Sequence, residues 1–224
     1  MFFRKKQIDS LSVKMPREEL VRRSRILIID DERPDLMDDL KAAHFSVDHE
    51  TDIVAEKIDL IEKSLYDLVL LDFGDVGAAF GQDQGLSLLK HIKRVNPAIV
   101  ILSYTSKALE TRHADFYRQT DGVLAKDAGI QESLEKIEDA LRKAHSIKNL
   151  WAGLLSLCDV VPGSPENLAW QDLFVRGRTS QRKLAALQSK VATVLTSETT
   201  KTVGIALLTK AAELAAMAAM GGLK

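Results

Sequence analysis

The chain has 224 residues, 46% of them hydrophobic, and a formal net charge of −1. That length holds one generous domain, or one of ordinary size with an appendage, and suffices to bury a core. The charge is uneven: residues 1–24 carry seven Lys/Arg against three Asp/Glu and residues 146–224 carry nine against five, so the middle is strongly acidic. An acidic centre argues against a nucleic-acid-binding core and agrees with a cation site there. The single Cys158 excludes a disulfide framework and suits a reducing compartment. Met1-Phe2-Phe3-Arg4-Lys5-Lys6 lacks the apolar stretch of a signal peptide. A cytoplasmic location is expected.

Residues 25–145 alternate strand and helix signals. In chain order these are a strand at Arg25–Ile29, a helix at Pro34–Ala43, a short strand at Ser46–Glu50 and a helix at Ile53–Ser64. A strand at Tyr66–Leu71, a helix at Gly85–Val95 and a strand at Ala98–Tyr104 follow. The series closes with a helix at Leu109–Gln119, a strand at Gly122–Ala125 and a helix beginning near Ile130. Five strands alternating with five helices predict an α/β domain with a doubly wound, five-stranded parallel sheet. Residues 1–24 read as a basic, solvated N-terminal extension.

The last helix shows no stop signal. Leu134, Ile137, Leu141, Ala144, Lys148, Trp151, Leu155 and Cys158 keep a three-then-four spacing, which predicts one unbroken helix running into residues 146–224. Val161-Pro162-Gly163-Ser164-Pro165 then breaks the pattern. Ser180–Leu195 is amphipathic, with Leu184, Leu187, Val191 and Val194 in register. An Ala-rich run from Val203 to Leu223 follows, with Lys210 and Glu213 as its internal charges. Each such charge at a bilayer centre costs up to ~3 kcal/mol, so a packed helix is expected rather than a membrane span. The region 146–224 is expected to be helical and to join two copies as a homodimer, since an apolar helix face gains its stability from packing.

Four apolar runs end on polar side chains: Ile26-Leu27-Ile28-Ile29 on Asp30-Asp31, Leu68-Val69-Leu70-Leu71 on Asp72, Ile99-Val100-Ile101-Leu102 on Ser103-Tyr104-Thr105, and Val123-Leu124-Ala125 on Lys126. In parallel sheets ligands bind beyond the carboxyl ends of the strands, so three carboxylates, a hydroxyl and an ammonium are expected at one edge. Together with Gly85–Leu89 at a helix start and Lys126-Asp127, these elements resemble the response-regulator receiver family of two-component signalling, over about residues 25–145. The resemblance implies a flavodoxin-like receiver fold and a phosphoprotein that accepts a phosphoryl group on Asp72 from a histidine kinase or phosphotransfer protein. It also implies magnesium (Mg²⁺) held by Asp31 and Asp72, by Asp30 through water and by the Gly74 carbonyl, with Lys126 stabilising phosphoryl charge. A hard cation is the natural way to keep three crowded carboxylates ionised. The switch hydroxyl is Thr105 or, alternatively, Ser103.

The loop from Phe73 to Gln84 is longer than the family's and lacks its common proline, and Val123 stands where the family usually has an aromatic. Other readings are simpler. Asp30 and Asp31 could cap a helix at Pro34, Lys126 could be a structural ion pair with Asp72, and the domain could be a phosphorylation-independent scaffold. His91, His113 and His145 read as surface residues, and Phe116, Tyr117, Trp151 and Trp170 as packing. The expected function is a response regulator with a helical protein-interaction output, a switch and not a turnover enzyme. The rival is a transcription factor with a DNA-binding tail, but residues 180–195 offer only Arg182, Lys183, Gln188 and Lys190 for bases.

Overall fold

The computed structural model describes residues 8, 11, 13–53, 55–63, 65–106, 114–177 and 180–219. The chain divides into two compact units. An α/β unit comprises residues 16–94 and 99–144, and a helical unit comprises residues 1–15, 95–98 and 145–224.

In the α/β unit, α1 (Arg17–Arg23) leads into β1 (Arg25–Ile29), α2 (Leu36–Ala42), β2 (Ser46–Glu50), α3 (Ala55–Glu62) and β3 (Leu68–Leu71). Then come α4 (Gly85–Val95), β4 (Val100–Thr105), α5 (Ala114–Gln119), β5 (Gly122–Ala125) and α6 (Ile130–Ala144). All strand pairs are parallel and the order is β2-β1-β3-β4-β5, the doubly wound, flavodoxin-like arrangement. The order reverses between β1 and β3, which opens a crevice at their carboxyl ends.

β1 after Arg25, β3 and β4 are buried without alternation because both sheet faces are covered. One face buries Leu27, Ile29, Val69, Leu71, Ile99 and Ile101 against Ile58, Ile61, Leu88, Leu89, Ile92 and Phe116. Each such buried side chain contributes about 2 kcal/mol relative to exposure. α6 packs against β3 and β4 through the fully buried Ile137 and Leu141.

The N-terminal region departs from the expected solvated tail. Residues 1–7 lie outside the described residues, but α1 belongs to the α/β unit, with Leu20 and Val21 buried and Arg17 Nε 2.6 Å from Glu138 Oε1 of α6. Two adjacent apolar residues among charges gave too short a pattern to announce a packed helix.

The helical unit holds α7 (Ile147–Leu157), α8 (Pro165–Gly177), α9 (Gln181–Val194) and α10 (Glu198–Ala219). α10 packs on α7 and α9, burying Val203, Gly204, Leu207, Leu208, Ala211, Leu214 and Ala215. By length and composition α10 also suffices to cross a membrane, with mean hydropathy 1.4. The predicted unbroken helix does not form. α6 stops at Ala144, and Ser146 is extended (φ −99°, ψ 134°), its side chain accepting the Asn149 amide at 3.1 Å as the cap of α7. A satisfied N-cap replaces a continuing turn, and burial resumes in α7 at a spacing that hides the break.

Candidate functional site

β1 ends in Asp30 and Asp31, and β3 ends in Asp72 beside them, because Ile29 pairs with Leu71 and the Asp72 amide donates to the Ile29 carbonyl at 2.9 Å. One carboxylate oxygen from each of Asp30, Asp31 and Asp72 falls within a cluster no wider than 4.8 Å. Asp30 is 1% exposed, Asp72 half-buried and Asp31 exposed. Neither acidic residue of β1 caps α2, whose cap position is Asp35.

Lys126, at the end of β5, places Nζ 2.6 Å from Asp30 Oδ2 and 2.9 Å from Asp72 Oδ2. Burial alone would lower its pKa, but the Asp30 and Asp72 carboxylates beside it outweigh burial and hold the ammonium above its usual range. Asp30 Oδ1 accepts the Glu32 amide at 3.1 Å. The buried Oδ2 has no hydrogen-bond donor at an acceptable angle, so the ammonium serves it as a charge more than as a directed bond. Asp72 Oδ1 accepts the Phe73 amide at 2.6 Å. Among the described residues one ammonium faces three carboxylates. An anionic oxygen set of this kind, with a buried oxygen still short of a donor, fits a hard divalent cation such as Mg²⁺. Gly74 lies two residues past Asp72 with nothing within 4 Å of where a β-carbon would stand.

Ser103 and Thr105 stand in the last half of β4, and the Lys126 amide donates to the Thr105 carbonyl at 2.8 Å. Leu71 pairs with Ser103, Leu124 with Tyr104 and Ala125 with Thr105, so β4 ends between Asp72 and Lys126. Within β4, strand alternation puts Ser103 and Thr105 on one face and Tyr104 on the other. Lys126 Nζ lies 5.4 Å from the centroid of the Tyr104 ring, and the Ser103 hydroxyl donates to the Gly122 carbonyl at 3.4 Å. Tyr104 is 3% exposed; burial raises its phenol pKa, and the Asp30 carboxylate adds to the rise.

The long loop after Asp72 is anchored along its length. Val76 is fully buried, the Gly77 amide donates to Asp52 Oδ1 at 2.5 Å, and the Phe80 ring packs on His91 at 4.9 Å. His91 is partly buried, and its Nε2 lies 3.1 Å from Glu62 Oε1. His145 is also buried, 7% exposed at the junction after α6, while His113 lies outside the described residues. Phe116, Trp151 and Trp170 are buried packing residues, as expected.

Neither a protein-family model nor a curated protein matches the sequence. Solved structures similar to it are a CheY-like response regulator receiver domain protein from Methanospirillum hungatei and a two-component response regulator from Clostridium difficile. The first is 22% identical with a TM-score of 0.44, covering 54% of this chain and 95% of its own. The second is 23% identical with a TM-score of 0.43, covering 53% and 96%. NtrX from Brucella abortus, solved with ATP, is 20% identical with a TM-score of 0.47 and covers 70% of this chain, which spans 35% of NtrX. The fold class itself rests on the strand order: the α/β unit has the flavodoxin-like receiver arrangement.

Proposed function

We propose that the α/β unit is a phosphoacceptor switch, a response-regulator receiver in which Asp72 takes a phosphoryl group from a histidine kinase, a phosphotransfer protein or a small phosphodonor. The observation that carries this reading is the convergence of Asp30, Asp31 and Asp72 within 4.8 Å, with Lys126 reaching two of them. An Asp72 carboxylate oxygen forms the new bond to phosphorus while the donor's bond to phosphorus breaks, and the leaving group departs with the electron pair and takes up a proton from solvent. Bound Mg²⁺, held by Asp31 and Asp72 with Asp30 through water and the Gly74 carbonyl, would supply positive charge to the phosphoryl oxygens. Lys126 does the same from the side of β5, and the Phe73 amide orients Asp72 by holding its Oδ1. The hydrolysis of such an acyl phosphate is slow, so the protein acts as a switch and not as a turnover enzyme.

Residues 146–224 are the output region in this reading, a helical protein-interaction and homodimer module, and the protein works in the cytoplasm. Intact mass after acetyl phosphate and Mg²⁺ tests the acceptor. Wild type is expected to gain one phosphoryl group and Asp72→Asn none, because the amide keeps the volume and is a far poorer nucleophile. Undiminished labelling of Asp72→Asn would remove the assignment. Light scattering of the full chain, with and without acetyl phosphate, tests the dimer, and a monomer at micromolar concentration in both conditions would defeat it.

A further inference from the structure

The peptide between Ile29 and Asp30 is held from both sides of β1. Its carbonyl accepts the Asp72 amide at 2.9 Å, and its own amide donates to the Glu50 carbonyl at 3.1 Å. The next peptide, between Asp30 and Asp31, lies past the end of β1. A side chain holds its carbonyl: His49 Nε2 lies 2.8 Å from the Asp30 carbonyl oxygen. A carbonyl only accepts, so the imidazole carries a proton on Nε2 and donates it. His49 stands in β2 opposite Ile28, one residue before the Glu50 that holds the Asp30 amide.

A peptide group is planar, so an anchored Asp30 carbonyl also fixes the direction of the Asp31 amide and the place of the Asp31 α-carbon. This matters more for Asp31 than for the other two carboxylates. Asp30 is 1% exposed, with Oδ1 accepting the Glu32 amide and Oδ2 2.6 Å from Lys126 Nζ. Asp72 has the Phe73 amide on Oδ1 and Lys126 on Oδ2. Asp31 is the exposed member of the three, and its carboxylate stands where its backbone puts it. We propose, on the reading of these carboxylates as a Mg²⁺ site beside a phosphoacceptor, that His49 is a positioning residue for the metal. By donating to the Asp30 carbonyl it holds Asp31 where one cation reaches both Asp31 and Asp72. Asp72 and Lys126 follow other strands, so the phosphoryl step at saturating Mg²⁺ does not depend on His49. β2 is an edge strand paired with β1, so the substitution leaves the centre of the sheet closed.

Calorimetric titration of the full chain with Mg²⁺ alone is the test, on wild type, His49→Leu, His49→Gln and Asp31→Asn. Leucine keeps bulk and removes the donor, whereas glutamine restores an N–H near the place of Nε2. His49→Leu is expected to bind Mg²⁺ about tenfold more weakly, the loss typical of removing a group that orients a metal ligand, and His49→Gln to recover most of it. In acetyl phosphate labelling read by intact mass, His49→Leu should need about tenfold more Mg²⁺ for half the maximal rate and reach the wild-type rate at saturation. Wild-type Mg²⁺ affinity in His49→Leu, with Asp31→Asn weakened, makes the hydrogen bond structural and overturns the inference while leaving the metal site in place. Equal weakening in His49→Leu and His49→Gln overturns it as well, since the ring and not the donor then counts. A His49→Leu chain that does not fold also overturns it, because the bond then serves the fold. No Mg²⁺ binding by wild type, or binding that Asp31→Asn leaves unchanged, removes the metal site itself and the role of His49 with it.

Discussion

A β-carbon added to Gly85 would stand 2.6 Å from the carbonyl oxygen of Asp72, and 2.8 Å from that of Phe73. The first turn of α4 therefore rests directly on the backbone that carries Asp72, and the Gly85 amide donates to Phe73 at 3.2 Å. Gly85→Ala must push α4 and the end of β3 apart. Overpacking of this kind costs about 2 kcal/mol. We expect a lower melting temperature together with slower phosphoryl acceptance by intact mass, whereas a stability loss with unchanged labelling would show that Asp72 does not depend on this contact.

Lys126→Met keeps much of the side-chain length and removes the charge that serves Asp30 and Asp72. The buried Asp30 is then left without its cation, a loss of about 3 kcal/mol for a broken buried pair. Millimolar Mg²⁺ should restore more of the melting temperature in Lys126→Met than in wild type, because a divalent cation takes over the neutralisation. A Mg²⁺ effect no larger than that on wild type would count against a cation among these carboxylates.

Asp121 gives a pH test away from the site. Its Oδ2 accepts from Lys93 at 2.6 Å and from the Ile101 amide at 2.8 Å, and its Oδ1 accepts from Lys143 at 2.7 Å. Burial would raise its pKa, but Lys93, Lys143 and the amide outweigh burial and hold the carboxyl below its usual 3.8. The folded state thus favours the ionised form. This contribution is fully present above the ordinary carboxylate pKa and is lost as pH falls through the lower folded value. Denaturant melts of wild type and Asp121→Asn should differ most at neutral pH and converge as the pH falls below the ordinary carboxylate range.

Cys158 is buried at the end of α7, and desolvation, with Glu166 and Asp159 adding to it, pushes its thiol up to about 12. At pH 8 almost no thiolate is present. Iodoacetamide should label the folded protein far more slowly than the protein in denaturant, and equal rates would place the thiol at an open surface.

The strands of the sheet were readable because Ile26-Leu27-Ile28-Ile29 and Leu68-Val69-Leu70-Leu71 are runs that only a doubly covered sheet accommodates. The same feature hid which way Ser103, Tyr104 and Thr105 point. A strand buried on both faces has no polar alternation, and only pairing with Leu71 and Leu124 assigns the faces. The position of Asp30, Asp31, Asp72 and Lys126 at one edge was legible because each ends an apolar run. The stop after Ala144 was not, since a helix spacing carries across a break when the next helix buries a compatible face. Ser146 was the available signal, a residue that caps a helix start. α8 begins at Pro165, inside the stretch read as a breaker, where a proline suits the first turn of a helix as well as it ends one.

The helical unit takes residues 95–98 from between α4 and β4, and there Asn149 Nδ2 donates to the Ala98 carbonyl at 2.7 Å. Gly153 lies so near Ala98 that a β-carbon on it would stand 2.5 Å from that of Ala98. The polypeptide thus passes from one unit to the other more than once, and no single cut separates them. A gene fusion or truncation at residue 145 would leave the Ala98 carbonyl without its amide partner. Any exchange of the helical unit would have to carry the 95–98 segment together with α7, whose Asn149 donates to it.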